Sequence, residues 1–319
     1  MVLNHQNEKL SVVYLKVLSV LGPLLFVIYI NDLPDAVTSQ IYLFADDTKI
    51  FNKVDSLQDA LQIQNDINSL ETWSNTWLLK FHPDKCHVLS LGKGKNINQK
   101  YKYTLGEVEL QHVPREKDLG VIFDTSLTFE EHIQTQVKKA NSIIGLIKRS
   151  FSTLSPISFR KLYTSFVRPH LEYAQAIWSP RLQKNVNLVE GAQRRASKIV
   201  EGCKNLSYPE RLQLIDLLSL KDRRMMSDMT EVYKHLHYYD ATIMPDRFSG
   251  KERPCRKHDF ELQRNFGNDG FRGIQTNSYY FRTVKTWNEL PKDVVNSPTI
   301  SIFKKRLSSL CKEQSVQMK

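Results

Sequence analysis

Apolar positions recur at spacings of three and four through Ala60, Ile63, Ile67, Leu70, Trp73 and Trp77. At 3.6 residues per turn these fall on one face, so the pattern predicts an amphipathic helix running to Leu79, capped by Asp55 or Ser56. The same period returns at Ile133, Val137, Ala140, Ile144 and Ile147, behind a Thr128–Glu131 capping box. Ser155-Pro156 opens another helix with proline in its favoured first position, and Pro169 should kink or split it. Further helices are expected near 185–202, 207–218, 220–240, 279–290 and 299–312. Residues 41–51 read as strand, turn, strand, with Asp46-Asp47 at the tip, and more strands are expected near 86–91, 101–110 and 117–124. Residues 245–278, rich in Gly, Arg and Asn, read as a long loop or linker.

One apolar run, "SVVYLKVLSVLGPLLFVIYI" at 11–30, has the length of a membrane span or a signal region. Lys16 and the Gly22-Pro23 pair interrupt it, and nothing like a small-residue cleavage site follows. Buried core is the better reading, with a helix over 24–33 that ends at "NDLPD", where Pro34 cannot continue the ladder. No membrane association is expected.

Composition changes the picture in one respect. The 319 residues are 41% hydrophobic and 25% charged, ordinary values for a globular chain, but the formal net charge is +11. Between Lys138 and Arg224 stand 17 Lys and Arg against 6 Asp and Glu, an excess equal to that of the whole chain. On the 185–202 helix, Arg194, Arg195 and Lys198 share a face opposite Val189, Ala192 and Ile199. A solvated helix surface would explain such a face. Concentration of the whole excess in one helical region favours a phosphate-binding role. Cys86, Cys203, Cys255 and Cys311 are scattered, and the single C-x-x-H pair, Cys255 and His258, has no second pair at zinc-site spacing. Free cysteines suit a reducing compartment, so the chain is expected inside the cell, in nucleus or cytoplasm.

The candidate chemistry sits in "IYLFADDTKIF", 41–51. Asp suits hairpin tips, and a turn alone would explain an isolated Asp-Asp pair. A hairpin tip is also a rigid place to hold neighbouring carboxylates. Two-metal phosphoryl or nucleotidyl transfer needs such carboxylates beside Mg²⁺ ions about 4 Å apart, with further ligands from another strand.

The surroundings decide between these readings. "SVLGPLLFVIYINDLPD", "YLFADDTKIF", "LETWSNTWLLKFHPDKCHVLSLG" and "EKDLGVIFDTSLTFEEHI" resemble, in order and spacing, consecutive blocks of the reverse transcriptase of non-LTR (LINE-type) retrotransposons. "LYTSFVRPHLEYAQAIWSP" and "VEGCKNLSYPERLQLIDLLSLKDRR" resemble the region after the polymerase motifs, and "YYFRTVKTWNELPKDVVNSPTISIFKKRL" the end of the same reading frame. The resemblance runs from about Ser19 to Leu310.

It implies an α+β fold: a partial polymerase palm over 1–125 and a helical basic thumb and post-thumb region over 126–244. A linker at 245–278 and a C-terminal helical segment at 279–319 would follow. It implies that Asp46 ligates both catalytic metals, Mg²⁺ or Mn²⁺, with Asp47 as the supporting carboxylate. Phe44 and Ala45 would lie near the incoming deoxynucleotide, and Gly22 and Pro23 beneath template and nucleotide. Lys85, in "HPDKC", falls where the family often carries a lysine near the triphosphate. It is either a general acid for pyrophosphate or a surface lysine. Lys138, Lys139, Lys148, Arg149, Arg194, Arg195 and Lys198 would hold an RNA template and DNA primer by the backbone.

The chain also departs from the family pattern. A strand with another essential aspartate belongs upstream of "SVLGP", yet residues 1–18 contain no Asp and only one acidic residue, Glu8. Lys16-Val17-Leu18 replaces the usual Pro-Gln-Gly, and His82 stands where Asn is usual. The chain is therefore expected to be the C-terminal portion of a reverse transcriptase, inactive by itself. The other functions the residues allow are a non-catalytic nucleic-acid-binding protein and a degenerate element product.

Overall fold

The computed structural model describes residues 21–92, 101–238, 260–262 and 278–317. The chain forms two compact units, residues 1–116 and 117–319. Short strands and helices mix in the first, and helices dominate the second, a composition compatible with the α+β class.

In the first unit, residues 21–29 are helical (α1). The burial expected of this apolar run is not found: Leu21, Leu24, Leu25, Val27 and Ile28 are exposed. One stripe alone turns inward, where Phe26, Ile30 and Leu33 pack on Leu70 and Trp73. The helix also ends earlier than Pro34 requires, and Pro34 instead starts a 3₁₀ turn, Leu33–Ala36.

Helix α2 (Leu57–Trp77) follows its periodicity. Ser56 caps it reciprocally, since its Oγ accepts from Asp59 N at 3.3 Å while the Asp59 carboxylate accepts from Ser56 N at 2.7 Å. Ala60, Ile67, Leu70 and Trp73 are buried as the spacing requires, while Trp77, the last helical residue, stays exposed.

Strands β1 (Gln40–Phe44) and β2 (Asp47–Phe51) form an antiparallel hairpin in the register Phe44↔Asp47, Tyr42↔Lys49. Ile41, Leu43 and Ile50 face α2. The buried Asp66 of α2 fixes the entry to β1 by accepting from Thr38 N at 2.9 Å and Ser39 N at 3.0 Å. Beyond α2, β3 (His87–Val88) pairs in parallel with β6 (Gln111–His112), and β4 (Thr104–Leu105) pairs antiparallel with β5 (Val108–Glu109). The β4–β5 turn needs glycine: Gly106 has φ +62°, and a Cβ there would lie 2.6 Å from Glu71 Oε1.

The unit boundary falls within β7 (Arg115–Asp118), which pairs with β8 (Val121–Asp124), and α3 (Glu130–Ser150) follows. The predicted Thr128–Glu131 capping box does not form, and Phe129 occupies the cap position with φ +54°. Asp124 takes over, its carboxylate accepting from Ser126 N, Thr128 N and Phe129 N at 3.0, 3.1 and 2.7 Å. One acidic side chain thus fixes the turn ahead of the helix, while Thr128 Oγ accepts from Glu130 N at 3.5 Å.

Ser155-Pro156 opens α4 (Pro156–Leu162) as predicted. At Pro169 the helix widens into a π segment, Tyr163–Val167, and continues as α5 (Arg168–Glu172). The wider turn accommodates a proline that lacks an N–H and crowds the preceding carbonyl. Helices α6 (Gln175–Trp178), α7 (Gln183–Ser197), α8 (Tyr208–Ile215) and α9 (Leu220–His237) follow. Val121, Ile133, Ala140, Phe159, Trp178 and Ala192 lie in one core cluster. A second cluster gathers α10 (Tyr279–Glu289), α11 (Lys292–Val295) and α12 (Ile300–Gln317) against α9 around Tyr233, Trp287 and Phe303. Of the expected 245–278 loop only 260–262 and 278 lie within the described residues, and the Cys255–His258 pair lies outside them. Cys86, Cys203 and Cys311 are free thiols.

Candidate catalytic hairpin and nucleic-acid interface

The β1–β2 loop is two residues long. Ala45 adopts φ +50°, a left-handed conformation that costs an alanine about 1 kcal/mol or more. It lets the strands turn at once, so Asp46 lies in the turn and Asp47, paired with Phe44, starts β2, both exposed. Phe44 is exposed, and Tyr42 stacks on Phe51 with centroids 5.3 Å apart, giving the outer hairpin face an aromatic surface beside the carboxylates. Neither strand pairs with a third among the described residues.

Two adjacent carboxylates are hard oxygen donors of the kind Mg²⁺ and Mn²⁺ prefer, and they fit one side of such an ion's shell. No group of three or more His, Cys, Asp or Glu side chains gathers at any point among the described residues. Gly22 and Pro23 lie in α1, where a Cβ added at Gly22 would meet nothing within 4 Å. Lys85 is exposed, in a 3₁₀ turn at Pro83–Lys85.

The basic residues sit on a defined scaffold. Helices α3 and α7 pack together and run parallel. Lys184 Nζ meets Glu130 Oε1 at 2.7 Å near their starts, and Arg195 Nη2 donates to Asn141 Oδ1 at 3.0 Å eleven residues further along both. That constant offset sets Lys138 and Lys139 about level with Arg194, Arg195 and Lys198, and places Lys148 and Arg149 roughly two turns beyond. All seven are exposed. Four of them also occupy the last turns of their helices, where cations complement the macrodipole.

The Arg194 guanidinium lies over the Tyr208 ring, 4.9 Å from its centroid. Tyr208 is fixed from below: its hydroxyl donates to Glu190 and accepts from Gln193 Nε2 at 2.9 Å. Glu190 in turn accepts from Leu220 N and Lys221 N at 3.2 Å, holding the start of α9. Burial and the Glu190 charge push the Tyr208 hydroxyl far above its ordinary pKa, so it remains a neutral donor. Sequence reading missed this support, because its partners are 15 to 31 residues apart.

The regional charge excess is not all surface. Arg211 and Arg224 are buried. Arg211 donates to Ser197 Oγ and Leu206 O at 2.9 and 2.8 Å, and Arg223 grips Glu172. Part of the excess therefore builds the core of the second unit.

A β-hairpin presenting paired carboxylates, with exposed cations on packed helices, is a combination that polymerases of nucleic acid use. Residues 9–138 match the family described as Reverse transcriptase (RNA-dependent DNA polymerase). The chain is 27% identical to the Probable RNA-directed DNA polymerase from transposon BS of Drosophila melanogaster, over 58% of this chain and 22% of that protein. To the RNA-directed DNA polymerase from mobile element jockey of Drosophila funebris it is likewise 27% identical, over 58% of this chain and 21% of the relative. The Probable RNA-directed DNA polymerase from transposon X-element of Drosophila melanogaster is 24% identical over 69% of this chain and 24% of its own length. The chain is thus similar to the reverse transcriptases of non-LTR, LINE-type elements. It spans under a quarter of the length of these relatives. No solved structure matches it. No described helix is long and apolar enough to cross a membrane.

Proposed function

We propose that these residues are the nucleic-acid-holding portion of an RNA-directed DNA polymerase: residues 1–125 a partial palm, 126–244 the thumb and its continuation. The α3–α7 pair grips an RNA template–DNA primer duplex through its phosphates. The observation that carries the reading is the exposed array of Lys138, Lys139, Lys148, Arg149, Arg194, Arg195 and Lys198 on two packed parallel helices, with Arg194 braced on Tyr208. Cations at such spacing follow a charged backbone and read no base edge, so binding is tolerant of sequence.

In this reading Asp46 and Asp47 are the metal-binding carboxylates. The bound divalent ion would supply charge neutralisation at the reacting phosphate. Phe44 and Ala45 line the nucleotide position, Gly22 and Pro23 lie beneath it, and Lys85 is a cation for the triphosphate. The family pattern places a further essential aspartate before "SVLGP", where residues 1–18 hold only Glu8, so in this reading the two-metal site is short of a carboxylate. Losing positioning and charge stabilisation together removes many orders of magnitude in rate. The polypeptide as it stands therefore binds primed template without extending it, unless a carboxylate comes from other residues.

Salt titration of duplex binding tests the proposal. The logarithm of affinity should fall linearly with that of salt, and Arg194→Gln, Arg195→Gln and Lys198→Gln together should shrink the slope by up to about three units. A slope unchanged by the triple substitution would return this surface to an ordinary solvated one.

A further inference from the structure

The second unit contains a cavity of about 440 Å³ that the proposed duplex grip does not use, lined by Tyr233, His237, Tyr238, Phe260, Asn296, Ser297 and Pro298. Its size lies within the range of about 300–1,000 Å³ typical of small-ligand sites. Its walls are aromatic and ordered into a series. Phe303, behind the wall, stacks on Tyr233 with centroids 4.5 Å apart, Tyr233 meets His237 at a tilt at 4.3 Å, and His237 meets Phe260 at 4.7 Å.

The walls are held, not incidental. Tyr233 is 1% exposed and forms the floor, its hydroxyl donating to Ser297 O at 2.5 Å. Trp287 Nε1 donates to Phe260 O at 2.8 Å, and Asn288 brackets Leu262 with two hydrogen bonds of 2.9 Å, which pins the Phe260 segment to α10. Tyr238, by contrast, is 57% exposed and stands at the mouth with its hydroxyl accepting from Ile300 N at 3.4 Å. A ring fixed at its polar end and open on its face is a platform for another flat group.

Charge selects among flat or cation-seeking ligands. None of the described lining residues is acidic. A guanidinium stands beside the floor: Arg306 Nη1 donates to Ser297 Oγ at 3.2 Å and to Asp293 O. A cation next to an aromatic pocket disfavours a cationic guest and suits a guest that brings a phosphate. Asn296 adds an amide able to donate and accept along a base edge. We infer that this cavity holds an unpaired nucleobase of single-stranded RNA or DNA, stacked on Tyr238 and Phe260, with the adjoining phosphate turned toward Arg306. Single-strand sites are built in this way, from aromatic platforms beside cations.

The experiment compares two ligands on the full 319-residue chain: a fluorescein-labelled 12-nucleotide oligouridylate and an RNA–DNA duplex of equal length, read by anisotropy. Tyr238→Ala, an exposed substitution, should weaken the single strand about tenfold, leave its salt slope unchanged, and leave duplex affinity within twofold. Tyr238→Phe should restore single-strand affinity, because the ring stacks and the hydroxyl does not. Photo-crosslinking of a 4-thiouridine oligonucleotide should label a peptide containing Tyr238 or Phe260. Equal losses for single strand and duplex, or no loss for either, would overturn the inference. Saturable binding of tetramethylammonium that Tyr238→Ala abolishes would overturn it in favour of a cation cage. A wild-type chain that binds duplex with the expected salt slope but not the single strand would sink this inference alone. Failure to bind either ligand would sink the duplex grip as well.

Discussion

Arg282 and Asp228 meet as a fork. The guanidinium Nε and Nη2 donate to the two carboxylate oxygens at 3.0 and 2.9 Å, and Nη2 also reaches Ala176 O at 2.8 Å. The pair joins α9 to α10 and α10 to α6, and both side chains are largely buried. Desolvation raises the Asp228 carboxyl pKa, against the pull of Arg282 and of the nearby Arg224, so the charge at Asp228 is tolerated because the fork faces it. Arg282→Met should cost about 3–5 kcal/mol, the usual penalty for stranding one member of a buried pair. Adding Asp228→Asn should recover much of it. Urea unfolding of the two variants measures both steps. A loss below about 1 kcal/mol in the single variant would mean that water already screens the pair.

The elements that sequence pattern predicted well are the ones whose determinants are local. The α2 face from Ala60 to Trp73, the Ser56 cap and the 41–51 hairpin, whose turn falls at Ala45-Asp46, one residue before the expected Asp46-Asp47, depend on neighbours within a few residues. The α3 cap failed because Asp124 acts across a turn that periodicity does not describe, and it displaces the Thr128–Glu131 motif. Burial of α1 was misjudged for a different reason. An apolar run shows that a helix would gain from being covered, and it does not show that a cover is present. At the basic face the exposed cations were legible as charge. The buried roles of Arg211 and Arg224 were not, because only the fold reveals which side chains lie inside.

Ala45 offers a test of the hairpin geometry. At φ +50° glycine carries no Cβ penalty, so Ala45→Gly should stabilise the hairpin. Its greater freedom in the unfolded chain offsets part of the gain. The net effect should be about 0.5–1 kcal/mol in favour of Gly, seen as slower amide exchange in residues 40–51. Faster exchange there would show that Ala45 is not held in the left-handed region in solution.

His132 makes the second unit sensitive to mild acid. It is fully buried against Trp178, ring centroids 5.2 Å apart, and its Nδ1 accepts from Ile122 N at 3.3 Å. Burial first, and then the Lys139 charge, lowers its pKa from 6.5 to about 4. A folded-state pKa below the unfolded one means that stability is full above about pH 6.5 and is lost as pH falls toward 4. At about 1.4 kcal/mol per unit the loss should reach about 3 kcal/mol. His132→Gln, which cannot take up a proton, should flatten the profile between pH 7 and pH 4.5 while lowering stability at pH 7. The check is denaturant midpoints for helical signal across that range. Parallel profiles for both proteins would assign the acid loss to other groups.

The last prediction concerns the hairpin carboxylates. Asp46 and Asp47 are exposed at the tip, and two carboxylates are fewer than a divalent ion needs to be held tightly, with water left to complete the octahedron. Titration calorimetry of the 319-residue chain should show Mg²⁺ or Mn²⁺ binding in the millimolar range or not at all, weakened further by Asp46→Asn. On a primed RNA template with deoxynucleotides and Mg²⁺ the protein should shift the template in a gel and leave the primer unextended. In the proposed reading a further carboxylate from another strand would complete the two-metal site. A longer polypeptide that places an aspartate-bearing strand upstream of residue 19 should therefore extend the primer and lose that activity with Asp46→Ala. Extension by the 319 residues themselves, abolished by Asp46→Ala, would show that a carboxylate within them completes the site. Glu8, the one acidic side chain in residues 1–18, would be the first to test in that event.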